Sequence, residues 1–134
     1  TDHELYTGAI SPGFPFVPGH EVVGVVEAVG DRAAQRWGVT AGDRVAIEVF
    51  LSCRSCEPCR RGEYRRCVRH GLADMYGMRS VEAVPGLWGG YATHQYLGPD
   101  SLLLPVPDSL APEVAVAFNP VGTLGNASCG VALT

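Results

Sequence analysis

Four cysteines crowd into one short stretch: Cys53, Cys56, Cys59 and Cys67, spaced C-x2-C-x2-C-x7-C. Thiolates this close converge on one point only if the backbone wraps tightly around it. The last one then closes a tetrahedron from the far side of a short loop. All-sulfur tetrahedral coordination is the signature of structural zinc. Four thiolates and one Zn²⁺ would carry a net charge of about −2, and a metal centre is often the largest local charge. Arg54, Arg60, Arg61, Arg65, Arg66 and Arg69 lie in or beside the loop and can offset it. Two disulfides would have to bridge very short loops at strained geometry. A ferredoxin-type iron–sulfur run would need its next cysteine where this chain has Glu63. Four unrelated thiols would leave the closed spacing unexplained, so zinc is the expected occupant of 53–67.

A second constellation is Gly19-His20-Glu21, at the end of a Pro/Gly-rich approach and just before a β-branched run. A histidine and a carboxylate at a strand mouth can serve as a metal-ligand pair. Gly19 would let the backbone turn so that the imidazole points inward. Taken alone, such a pair is more often solvated or hydrogen-bonded. Other candidates are weaker. Cys129 lacks a nucleophile elbow, because Asn126 stands where G-x-S-x-G needs glycine. Trp37, Trp88 and Phe50 suit core packing better than a pocket wall. The arginine cluster leaves a non-catalytic reading open: a zinc-stabilised binding module for phosphate or RNA. The net charge of −4 argues against nucleic acid.

These groups need a scaffold. At 134 residues the chain is one domain or a piece of one. Its 46% hydrophobic and 18% charged residues fit a globular fold rather than disorder. With 17 Gly and 10 Pro, the elements should be short strands joined by turns. There is no lysine, which excludes a Schiff-base lysine and a Walker P-loop from this stretch. No apolar run approaches the ~18 residues of a spanning helix, and no signal peptide is visible. Zinc-competent thiols point to a reducing, cytoplasmic setting. Val22–Val29 reads as a strand buried on both faces, with Gly24 marking a bulge or a close backbone approach. Gly30-Asp31 and the stretch from Val39 to Arg44 read as turns, the second feeding a strand over Val45–Val49. The stretch from Gly71 to Leu87 reads as irregular. Gly89 to Tyr96 starts as a turn and continues as a strand. Leu102–Val106 is another, ended by Pro105 and Pro107. A helix should start at Pro112 and break at Asn119-Pro120, with a further helix over Gly122 to Leu133.

In combination, the motifs Gly19-His20-Glu21-x2-Gly24-x5-Gly30, Gly42-Asp43-Arg44-Val45, the cysteine lobe and Gly89-Gly90-Tyr91-Ala92 resemble the medium-chain dehydrogenase/reductase superfamily, in its zinc-containing alcohol dehydrogenase branch. The resemblance covers nearly the whole chain. It implies a mainly β, GroES-like catalytic domain: a partly open barrel with a structural zinc lobe and short C-terminal helices. It implies that His20 binds a catalytic zinc. Glu21 would be a ligand or a close neighbour of that metal. Asp2 would hydrogen-bond the other nitrogen of His20, and Thr1 would pass on the substrate hydroxyl proton. The chain departs from the family in having Glu4, with His3 beside it, where relatives place a relay histidine. It also has Asn119 where polyol-oxidising relatives have an acid. The implied reaction interconverts a small-molecule alcohol and its carbonyl, with zinc and NAD(P). A homo-oligomer is compatible with this, and neither nucleic acid nor membrane is an expected partner. No G-x-G-x-x-G follows a strand, so the nucleotide-binding domain is expected outside 1–134. The chain alone is expected to be inactive.

Overall fold

The computed structural model describes residues 1–71 and 74–122. The chain divides into two compact units: Thr1–His20 with Val49–Ser101, and Glu21–Glu48 with Leu102–Thr134. Six short elements carry the local order needed here: α1 (Asp2–Thr7), β1 (Val22–Val25), α2 (Asp31–Trp37), β2 (Arg44–Ile47), α3 (Glu57–Arg60) and a 3-10 turn at Tyr64–Arg66. Two more follow, β3 (Leu103–Pro105) and α4 (Pro112–Ala115).

The second unit holds an open antiparallel sheet in the order β1-β2-β3. The β-branched and small residues of β2 make it the central, buried strand: Val45, Ala46 and Ile47 are all buried. Ala46 packs with Val106 and Ala115, and Val23 and Phe118 close over them. Within this sheet β1 is an edge strand. The expected strand over Val22–Val29 is therefore shorter and less buried, ending at an exposed Val25. Gly24 sits in continuous register opposite Val45, and nothing lies within 4 Å of where its Cβ would be, so it is neither a bulge nor a close approach. Pro105 is the last residue of β3, which ends there as expected. An edge strand tolerates the missing N–H. The turn expected at Gly30-Asp31 is the start of α2, which a left-handed Gly38 terminates. Pro120 does not break a helix either. Residues 118–122 are helical, and a proline in a first turn loses no hydrogen bond. The expected helix over Gly122 to Leu133, like Cys129, lies almost wholly outside the described residues.

The first unit is tied by scattered backbone bonds rather than by a sheet. Phe16 bridges Ser80, the Tyr76 N–H donates to the Val49 carbonyl, and the Ser52 N–H donates to the Asp100 carbonyl. Tyr76 and Trp88 are its buried aromatics, with Tyr96 edge-on to Trp88 at 5.2 Å and the Arg79 guanidinium 3.9 Å over the Trp88 ring. The strand expected from Gly89 to Tyr96 does not form. Gly89 and Gly90 are instead pressed against 17–19, where the Gly90 N–H donates to Gly19 and the Tyr91 N–H to Pro18. Among the described residues no helix is long and apolar enough to cross a membrane.

Candidate metal centre and histidine site

Two tight turns aim the four thiols inward. Cys56 is the N-cap of α3, which has Pro58 in its first turn and sets Cys59 about one turn on. The 3-10 turn then delivers Cys67, whose N–H donates to the Tyr64 carbonyl. All four Sγ atoms lie within 4.8 Å of one another. Cys53 and Cys59 have their sulfurs 3.9 Å apart. That is nearly twice a disulfide bond. It is close to the edge of about 3.8 Å that Zn–S bonds of ~2.3 Å give a tetrahedron. The donor set and its spacing fit structural zinc, held by Cys53, Cys56, Cys59 and Cys67.

Local polar groups prepare the sulfurs unequally. The Ser55 hydroxyl at 3.5 Å and the Cys56 N–H at 3.4 Å bond to Cys53 Sγ. These bonds bring the Cys53 thiol down to about 5. Burial pushes the Cys59 thiol up to about 11. Burial also opposes ionisation of Cys67, but the backbone N–H groups of Cys53, Arg69 and His70 outweigh it and leave that thiol below its ordinary value. The arginines meet other partners at contact range. Arg60 Nε donates to the Ser55 carbonyl at 2.7 Å, Arg61 pairs with Glu57, and Arg66 pairs with Glu63. Arg65 lies over the Phe50 ring. The contacts that answer the sulfur charge most directly are thus N–H and O–H donors.

His20 is seated by glycine. Gly19 has φ +95°, and a Cβ on it would stand 2.7 Å from the Tyr91 nitrogen, so no other residue fits without moving backbone. The Nδ1 of His20 lies 3.0 Å from Asp2 Oδ1, with both side chains mostly buried. An ionised carboxylate only accepts, so Nδ1 carries the proton of that bond. Thr1 stands at the N-cap of α1 without a side-chain capping bond. Glu21 is exposed and begins the other unit. Asn119 is also in that unit, and its buried amide nitrogen has no hydrogen-bond partner among the described residues. Only the four cysteines form a group of three or more clustered metal-ligand side chains among the described residues.

One set of groups around the lobe has no signature in the sequence. His70 bonds Asp74 through Nδ1 and Asp100 through Nε2, and Arg69 reaches Asp100 as well. Arg54 donates to the carbonyls of Pro99 and Ser101. Most of these partners lie tens of residues apart, so no periodicity or motif could have paired them.

Residues 1–108 match the alcohol dehydrogenase GroES-like domain. The chain belongs to that family. A probable alcohol dehydrogenase of Mycobacterium tuberculosis is 68% identical over 122 residues, which are 91% of this chain and 33% of that protein. An alcohol dehydrogenase structure from Thermotoga maritima superposes with a TM-score of 0.67 at 24% identity, covering 87% of this chain and 33% of the other, and shows the fold. Acetophenone reductase from Geotrichum candidum, in complex with NAD, gives a TM-score of 0.60 at 25% identity, covering 87% and 31%. The chain thus spans 33% of the length of the first of these relatives. The mainly β GroES-like domain read from the sequence, and its likeness to the zinc-containing alcohol dehydrogenases, are borne out.

Proposed function

We propose that the complete protein interconverts an alcohol and its aldehyde or ketone, using zinc and NAD(P), and that this GroES-like chain is its catalytic domain. The 3.0 Å bond between Asp2 and His20 carries the reading. By accepting from Nδ1–H, Asp2 fixes the tautomer and leaves the Nε2 lone pair as the one available to a metal. A carboxylate behind a metal-binding imidazole also raises its basicity. Gly19 and Gly90, joined by a backbone bond, fix where that ring can stand.

A catalytic zinc takes three protein ligands and keeps one open position. The described residues offer His20, with Glu21 next to it in sequence, and so supply part of such a site. When bound, zinc would act as a Lewis acid toward the substrate oxygen, and the nicotinamide would accept the hydride. This chain's own contribution would be to orient His20 through Asp2 and to let the Thr1 hydroxyl take the substrate proton. From Thr1 the path outward would run past His3 and Glu4. The nucleotide-binding half would lie outside these 134 residues. The phosphate- or RNA-binding alternative loses its support, because Arg61 and Arg66 of the lobe are paired with Glu57 and Glu63.

The test is NAD⁺ and NADP⁺ reduction by the complete protein across a panel of primary, secondary and polyol alcohols. Wild type should turn over at least one class. His20→Ala should lose about a thousandfold or more in kcat, because the zinc that would polarise the substrate oxygen loses a ligand, while keeping the zinc of the cysteine lobe. Undiminished turnover by His20→Ala would remove His20 from the chemistry.

A further inference from the structure

Between Cys53 and Cys56 the backbone passes through Arg54 at φ +55°, the one non-glycine residue with positive φ among those described. A side chain in that region crowds its own carbonyl, so glycine or asparagine would be the ordinary choice. Such a conformation persists only where the surroundings over-determine it. Here they do. The Arg54 N–H donates to Ser52 Oγ at 3.3 Å. Its Nη1 donates to the Pro99 carbonyl at 3.3 Å, and its Nη2 to the Ser101 carbonyl at 2.6 Å. The receiver is rigid. Ser101 is 0% exposed, and its hydroxyl bonds the Tyr76 hydroxyl at 2.6 Å and the Gly98 carbonyl at 2.7 Å.

The other end of the metal loop comes back to the same three residues. His70 Nε2 lies 2.9 Å from Asp100 Oδ2, and Arg69 Nη1 3.5 Å from the same oxygen. The Ser52 N–H adds a bond to the Asp100 carbonyl at 2.9 Å. Residues 99–101 therefore hold the chain both before and after the cysteines.

We propose that 99–101 is a clasp that keeps the metal loop closed, and that Arg54 is a positioning residue for the metal, setting the turn that presents Cys53 and Cys56. The proposal rests on the reading of the four cysteines as zinc ligands. A guanidinium suits the task because its fixed fork reaches two carbonyls at once, whereas an ammonium reaches them singly. With the fork in place, the turn is already formed before metal arrives, and a bound ion leaves only if the clasp opens first.

The experiment measures zinc release from the complete protein to excess chromophoric chelator, with zinc content and circular dichroism recorded for each variant. Arg54→Gly is the decisive change, since glycine suits φ +55° better than arginine does. If Arg54 served only the backbone, Arg54→Gly would hold zinc as well as wild type or better. The clasp predicts release about tenfold to a hundredfold faster, the range found when groups supporting metal ligands are lost. Arg54→Lys should fall between the two, and Asp100→Asn, which keeps its backbone bond, should speed release from the other side. Glu63→Gln, in an exposed pair within the loop, should leave the rate unchanged. Wild-type zinc with unaltered release in both Arg54→Gly and Asp100→Asn would overturn the clasp alone, as would an equal effect of Glu63→Gln. A wild-type protein with no zinc in the lobe would overturn the metal reading, and the clasp with it.

Discussion

The cysteine lobe and the histidine pair belong to one compact unit but are assembled in opposite ways. The lobe draws all four ligands from a single short loop, and neither α3 nor the 3-10 turn buries a residue. Its order rests on the convergence of four thiols and on polar straps rather than on a core. The His20 pair draws Asp2 from α1, and its backbone seat comes from Gly89, Gly90 and Tyr91, some seventy residues away in the chain. A local cluster of strong ligands can specify itself through spacing. A dispersed site depends on the fold that collects it. The two should therefore fail under different insults.

The largest effect should come from the lobe. Cys56→Ser leaves three thiolates, and structural zinc supplies on the order of 10 kcal/mol of apparent folding free energy. The lobe should lose its metal and become sensitive to protease cleavage between Arg54 and Arg66. Metal analysis and limited proteolysis check this, and a chelator in excess should reproduce it on wild type. Retained stoichiometric zinc in Cys56→Ser would break the contrast at its stronger end. Next comes the seat of His20. A methyl on Gly89 would overlap the Val17 carbonyl and lie 2.5 Å from that of Pro18, both backbone atoms that cannot swing away. Gly89→Ala should cost more than about 3 kcal/mol in denaturant titration. It should disturb the His20 site while the lobe keeps its zinc.

The same contrast governs what could be read in advance. The cysteine lobe was legible because ligand type, number and spacing are local. The contact between His20 and Asp2 follows from the resemblance, but the packing of Gly89 against residues 17 and 18 does not, and the turn at Gly89 does not continue as a strand. The strands β2 and β3 were legible from β-branched and leucine runs. The helix α2 buries no residue and so shows no apolar period, and only Asp31 at its start and Gly38 at its end signal it. Pro120 misled because a proline that opens a helix and one that breaks it look alike without the neighbouring turn. Arg54, His70 and Asp100 were illegible as partners, since contacts between distant loops leave no periodic trace.

A smaller effect sharpens the boundary between lobe and unit core. Tyr76 is 2% exposed, and its hydroxyl accepts from the Gly98 N–H and bonds Ser101. Tyr76→Phe keeps the ring beside Trp88 but strands the Gly98 N–H. The cost should be about 1–3 kcal/mol, the usual penalty for an unsatisfied buried donor. A urea titration reads it. Because Ser101 still accepts Arg54 through its backbone carbonyl, zinc release should change less than in Arg54→Gly.

The smallest expected effect is a pH dependence at His70. Both of its ring nitrogens face carboxylates, Asp74 at Nδ1 and Asp100 at Nε2. Carboxylates accept and do not donate, so the arrangement is satisfied in full only by the imidazolium. Burial opposes that charge, but the hydrogen bonds and negative charges of Asp74 and Asp100 outweigh it and raise the pKa above its ordinary 6.5. Arg79 also faces Asp74, Arg69 also faces Asp100, and the His70 N–H faces the Cys67 sulfur. A pKa raised on folding adds stability that is whole below the unfolded value near 6.5 and fades as pH climbs through the folded value. His70→Asn should therefore destabilise the zinc-loaded protein by about 1–2 kcal/mol at pH 6, discounted for partly exposed partners, and by less at pH 9. The arginines keep both carboxylates paired when His70 is neutral, which holds the change small. Unfolding midpoints of wild type and His70→Asn at the two pH values give the sign directly. A larger loss at pH 9 would mean that His70 is held neutral, and that the far end of the clasp rests on the arginines alone.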